Sequence, residues 1–198
     1  MFRFTKGFVL AAFFATGLAQ AEVSVPALEV QKVFQAVQGV LDAQTANAIR
    51  WKVGDFHEIK IDFILPGTGR KEATKDEPAQ NAVWLKTTMQ LLGQNQTTEA
   101  LINRANGEVL RLIVNGKEED PKAGGDMEII EQSETTVTVP AGTFDCFYVK
   151  AKVTGQQGTQ TIEAWVNPID VNLDGMLKTK IESQFGPISM ILQRFGSR

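Results

Sequence analysis

One cysteine and one histidine in 198 residues leave few side chains for nucleophilic or metal chemistry. The lone Cys146 excludes an intramolecular disulfide, so the core has to hold without sulfur cross-links. Neither a Gly-x-Ser-x-Gly elbow nor a phosphate-binding glycine loop occurs, which removes the sequence support for two common enzyme classes. No basic patch interleaved with aromatics is found, and the formal charge is −3, so nucleic acid is not an expected partner. Also missing is any uncharged apolar run of the roughly 20 residues that a membrane-spanning helix needs.

What is present, first, is an address. Arg3 and Lys6 precede an apolar run from Phe8 to Leu18, and Ala19-Gln20-Ala21 supplies a small-x-small cleavage pattern. The expectation is a cleaved signal peptide over residues 1–21 and a single domain over 22–198, delivered to the periplasm or beyond it. No cysteine stands at the cleavage point to be acylated, so no anchor is expected in the mature chain. Cleavage removes two of the 20 basic residues and none of the 23 acidic ones, taking the charge from −3 to −5.

Residues 27–49 carry the one helical signal. Val30, Val33, Phe34, Val37 and Leu41 recur at helical spacing, and Gln31, Lys32, Gln35, Gln38 and Asp42 fall off that stripe. Pro26 and Glu29 suit a helix start, whereas Gly39 costs about 1 kcal/mol relative to Ala. Such a helix would lie across a sheet or act as a lid over a cavity.

After Trp51 the texture becomes β. His57, Ile59, Ile61 and Phe63 alternate with Glu58, Lys60 and Asp62. Pro66 to Ala82 holds six charges and no large apolar residue, which predicts a long exposed loop. Extended patterns resume over 83–92, 97–102 and 108–114, the last two flanking a turn at Asn106-Gly107. Residues 115–126 read as a polar connection, and 127–139 as a strand pair or one long bent strand. Hairpins follow over 143–166 and 177–195. Eight to ten strands joined by short turns predict a mainly β, α+β domain: a curved antiparallel meander or half-barrel with one N-terminal amphipathic helix.

Val137-Thr-Val-Pro-Ala-Gly-Thr-Phe-Asp-Cys146, with Glu163-Ala-Trp-Val-Asn-Pro168 downstream, resembles a motif of an uncharacterised family of exported bacterial proteins, the domain of unknown function 3108 type. That family is similar in its curved sheet to the carriers of the lipoprotein-localisation system. The resemblance implies lipid or lipoprotein handling. Read from the residues alone, Pro140 ends a strand, Gly142 permits a turn and Phe144 starts the next strand.

Candidate chemistry is sparse. Asp170, Asn172, Asp174 and Gly175 reproduce positions one, three, five and six of a calcium loop. Ile181 occupies position twelve, where a bidentate Glu belongs, so an Asx-rich turn competes with calcium as the explanation. His57 sits on an apolar strand face and reads as a packed histidine rather than a ligand. Cys146 lacks an activating neighbour and reads as buried. No catalytic residue and no cofactor is expected. Trp51, Trp84, Trp165 and most phenylalanines suit a core. If the concave face is not filled, Phe34, Val37, Phe63, Phe144 and Trp165 are the candidate lining of a ligand cavity.

The reading is a soluble, non-enzymatic periplasmic protein that binds a hydrophobic small molecule, a lipid or an acylated protein. The alternative is an envelope interaction or assembly factor with a solid core, contacting an envelope protein through sheet edges or loops. An exported hydrolase or thiol enzyme, built on His57 or Cys146, is the third.

Overall fold

The computed structural model describes residues 49–198, apart from 92, 122–125, 156–157 and 184–185. The helix expected over 27–49 therefore lies outside the described residues but for Ile49, which is not helical. Eleven strands form one antiparallel sheet. They are β1 (Phe56–Asp62), β2 (Gly67–Glu77), β3 (Ala82–Leu91), β4 (Gln94–Asn103), β5 (Val109–Val114), β6 (Lys117–Glu119), β7 (Asp126–Val139), β8 (Gly142–Gly155), β9 (Gly158–Val166), β10 (Met176–Ser183) and β11 (Gly186–Gly196). Among the described residues the one helical element is a 3-10 turn, Pro78–Gln80, and no helix there is long and apolar enough to cross a membrane.

The order β6-β5-β4-β3-β2-β1-β11-β10-β9-β8-β7 is two meanders joined where β1 pairs with β11. It places β6 and β7, neighbours in sequence, on opposite edges. At about 4.8 Å per strand spacing, such a sheet laid flat would separate its edges by about 48 Å. The chain from Glu119 to Asp126 reaches at most about 25 Å when extended. Connectivity thus forces the sheet to curl, although β6 and β7 do not pair and the sheet stays open. β7 also reaches β10 and β11, and Val139 and Cys146 pack there with Val171, Leu177 and Leu192.

Alternation sets the inner face as the sequence indicates for β1, where His57, Ile59 and Ile61 are buried. Residues 127–139 belong to one long strand with a register shift between Ile129 and Glu131. Two other expectations are corrected. The polar stretch from Pro66 to Ala82 is no loop: it contains β2, eleven residues laddered between β1 and β3. Its inner face carries Gly67, Gly69, Lys71 and Ala73, so the usual apolar alternation is missing. A Cβ on Gly67 would meet the Gln90 carbonyl oxygen at 2.4 Å, and Ile59 and Met89 close over Gly69. Neighbouring strands supply the apolar bulk that β2 lacks. The connection 115–126 likewise contains the short edge strand β6.

The outer face over the β1–β11 junction carries charge. Glu58 accepts from Arg70 at 3.0 Å and from Arg194 at 2.5 Å, Arg70 also pairs with Glu72, and the Arg70 guanidinium lies 4.4 Å from the Phe56 ring centre. Exposed pairs of this kind contribute up to about 1 kcal/mol each, so burial of the inner face carries the fold.

Candidate functional site

The ladders line up four inward polar residues. His57 is opposite Lys71, Lys71 opposite Thr87, and Thr87 opposite Thr98. All four are buried, His57 completely. This polar belt divides the apolar interior. On one side Ile59, Ile61 and Met89 join Ile162, Ile181, Ile188 and Met190; on the other Ala73, Val83, Leu85, Ala100 and Ile102 meet Ile49, Trp51 and Leu173.

The loop 167–175 between β9 and β10 brings an acid to the belt. The Asn167 side-chain oxygen accepts from the backbone N–H groups of Ile169 and Asp170 at 2.9 and 2.8 Å, and its amide donates to the Asp145 carbonyl and to Asp170 Oδ2. Val171 and Leu173 are buried and anchor the loop. Leu173 and Gly175 take positive φ angles of 51° and 64°. A Cβ on Gly175 would meet Pro168 backbone atoms at 2.6 Å, so the turn closes too tightly for any other residue. Asp174, next to that glycine, is thereby turned into the interior.

There Asp174 Oδ2 accepts from Lys71 Nζ, with both side chains about 6% exposed. Asp174 Oδ1 accepts from the Met176 N–H at 3.3 Å and lies 3.5 Å from His57 Nδ1. His57 Nε2 donates to the Asn172 carbonyl at 2.8 Å. A carbonyl only accepts, so Nε2 carries the proton and the Nδ1 lone pair of the neutral ring faces the carboxyl. Nδ1 has no hydrogen-bond partner. Asn172 donates its amide to the Gly196 carbonyl at 2.7 Å, tying the loop to the end of β11.

Burial pushes the His57 pKa below its ordinary 6.5, with Lys71 adding to the fall and Asp174 opposing it, so the ring is neutral near neutral pH. Burial alone would raise the Asp174 carboxyl; the charge of Lys71, that of His57 once acid protonates it, and the hydrogen bonds from Lys71 and Met176 reverse this and leave it below its ordinary 3.8. The arrangement is an amine, a carboxyl and an imidazole in contact, shut from water. It can exchange protons among its members.

The sequence candidates are distributed as follows. Phe34 and Val37 lie outside the described residues. Phe63 is partly buried and packs on the cluster around Ile59 and Ile61. Phe144 packs against Phe195 with ring centres 6.2 Å apart, and Phe195 in turn meets His57 edge-on at 6.3 Å. Trp165 alternates with the buried Ala164 and Val166; it is partly buried against the cluster of Val139, Cys146 and Leu177, with the tilted Tyr148 ring 5.1 Å away and Lys178 5.1 Å from its ring centre. Asp170, Asn172 and Asp174 do not share a site: each is committed to a different protein group, Asn167, Gly196 and Lys71. Among the described residues no group of three or more His, Cys, Asp or Glu side chains is placed to hold a metal ion. Cys146 is buried and burial raises its thiol pKa, with Asp145 adding to the rise. The sequence signal for Lys71 is faint: Gly67-x-Gly69-x-Lys71-x-Ala73 has the period of a strand but not its apolar residues.

No family model and no curated protein sequence matches the chain, so the likeness of residues 137–146 to the exported family rests on the motif alone. Among solved structures, the chain is similar to an exported-protein candidate with a YmcC-like fold from Bacteroides fragilis NCTC 9343, at a TM-score of 0.47 and 12% identity over 77% of this chain and 100% of that one. A lipoprotein candidate from Parabacteroides distasonis ATCC 8503 gives 0.45 and 12% over the same shares. MucB in complex with MucA(peri) gives 0.38 and 14% over 86% of this chain and 56% of that one. At these values the likeness transfers neither activity nor partner.

Proposed function

We propose that the protein is an exported, non-catalytic binder that takes the apolar part of a lipid or acylated ligand into the end of its curled sheet where β1 turns into β2. The observation that carries this reading is the difference between the two ends of the sheet. One end is closed by loop 167–175, the ionic cluster and the packed Ile49 and Trp51. At the other, Ile64 and Leu65 are 70% and 56% exposed in the β1–β2 turn, while Phe63 beside them and Leu91 at the end of β3 pack on the inner apolar cluster. Exposed apolar residues continuous with an apolar interior mark a place where a hydrophobic group enters or docks. The leader pattern in residues 1–21 supports export to the periplasm.

Native mass spectrometry of the mature protein purified from its own periplasm, followed by solvent extraction and lipid analysis, tests the reading. A stoichiometric lipid adduct that is lost on denaturation, and reduced by Ile64→Asp with Leu65→Asp, is expected. Bare protein that also fails to take up a fluorescent fatty-acid probe would overturn it.

A second reading has its own observation. Among the described residues, edge strand β7 pairs with β8 alone, and residues 128–136 along it are exposed, including Ile129 and Ile130. An unpaired edge bearing Glu128, Glu131 and Glu134 suits an extended, basic segment of an envelope protein added as a further strand. Pull-down by wild type but not by an Ile130→Pro variant tests it.

A further inference from the structure

We propose that Lys71 and Asp174 become joined by an intramolecular amide bond after folding, with His57 relaying a proton. The amine and the carboxyl touch, both are buried, and a neutral imidazole presents a lone pair 3.5 Å from the carboxyl oxygen that the lysine does not occupy. Two acceptors, Nδ1 and Oδ1, face one another there without a hydrogen bond. A proton moving onto Oδ1 relieves that opposition. Such a proton is also what amide formation requires.

The step balances within the cluster. One proton passes from the Nζ ammonium to the carboxyl, giving amine and acid. The Nζ lone pair adds to Asp174 Cγ, a second proton leaves Nζ, and the Cγ–Oδ1 bond breaks. Oδ1 departs as water with those two protons, while Oδ2 remains as the amide carbonyl and one hydrogen remains on the nitrogen. Nothing is oxidised or reduced and no co-reactant is needed. His57 Nδ1, next to Oδ1, is the group placed to carry the second proton to the leaving oxygen.

Burial supplies the driving force. In water, amide hydrolysis is favoured by hydration of the ammonium and carboxylate it releases. In this interior both ions would be desolvated, so condensation removes two costly charges and expels a water from an apolar surround. The bond would close a loop over 103 positions and tie β2 of the first meander to the loop between β9 and β10 of the second. Among the described residues the β1–β11 ladder is the one strand pairing between those meanders. A chain with a single cysteine has no disulfide to do this.

Intact-mass measurement on the denatured, exported protein tests the proposal, with tryptic mapping to locate any change. The expected result is a mass lower by one water and a branched peptide joining the segments around Lys71 and Asp174, with no cleavage after Lys71. Lys71→Arg, which keeps the cation but cannot form this amide, is expected at its full mass. Unmodified mass in wild type would overturn the proposal. So would water loss confined to a linear peptide, because Asp174-Gly175 can dehydrate to a cyclic imide of the same mass. His57→Gln is expected to accumulate the branched peptide more slowly after synthesis; an unchanged rate would overturn the relay role.

Discussion

His57 faces Lys71 directly across the β1–β2 ladder, and Asp174, 103 positions beyond Lys71, closes over both of them. A lysine on the inner face of a sheet is tolerable only because that carboxylate reaches it. The local order of β2 and the conformation of the 167–175 loop therefore depend on each other, although they lie in different meanders.

The first consequence concerns the pair itself. Asp174→Ala leaves Lys71 buried without its partner, and loss of one member of a buried pair costs about 3–5 kcal/mol. Replacing both, as Lys71→Met with Asp174→Leu, is expected to recover most of that loss, because neither charge then has to be desolvated. Urea unfolding of the three proteins, with the wild type taken in its unjoined form before the amide accumulates, measures both numbers. Full stability in Asp174→Ala would mean that Lys71 reaches water without it.

Acid sensitivity has a defined sign. The folded pKa of His57 lies below 6.5, so on acidification the unfolded chain takes up this proton before the folded one does. Stability is complete above 6.5 and falls as pH drops below it, by at most roughly 1.4 kcal/mol per pH unit for the one proton. In the unjoined protein Asp174, also lowered, adds a second loss that begins near its ordinary 3.8 and continues below it. The chain has one histidine, so the first window is assignable without ambiguity. Unfolding curves between pH 7 and 5 are expected to flatten in His57→Phe, and an equal slope in that variant would remove His57 as the cause.

Glycine 175 is expected to be irreplaceable in a way that Gly116 is not. Both have positive φ, 64° and 82°, but a Cβ at 175 would lie 2.6 Å from Pro168 backbone atoms, whereas one at 116 meets nothing within 4 Å. Gly116→Ala is expected to cost about 1 kcal/mol of backbone strain. Gly175→Ala adds displacement of the loop and is expected to exceed about 3 kcal/mol, the upper end of strain alone. Thermal unfolding of the two variants distinguishes them.

Much of the sheet was legible because its cause is local. Alternation exposed β1, and glycine-bearing turns marked the hairpins between β4 and β5 and between β8 and β9. β2 was not legible as a strand. Its inner residues are two glycines, a lysine and an alanine, and the apolar mass above them comes from Ile59 on β1 and Met89 on β3. Such compensation is tertiary and leaves no apolar alternation in the segment itself. The same holds for Asp174: the spacing of Asp170, Asn172 and Asp174 is that of a calcium loop, but a cation already lies against Asp174, supplied from β2, whose polar sequence suggests a loop. His57 was placed on the correct face by alternation, yet its partners are set by register and loop closure, which the sequence around it does not encode.

Cys146 gives a reporter for that closure. It packs with Val171 of the 167–175 loop and with Leu177 and Leu192, and burial holds its thiol above the ordinary pKa. Thiolate is the reactive form, so alkylation of the native protein must wait for both exposure and ionisation. Labelling is therefore expected to be slow in native buffer and to rise steeply with urea, following opening of this region rather than reagent chemistry. Because Val171 and Gly175 belong to one loop, Gly175→Ala is expected to label faster than wild type at equal global stability, reached by adding urea to the wild type. Equal rates under that matched condition would mean that Cys146 is uncovered only by global unfolding, and that the loop does not open as a separate unit.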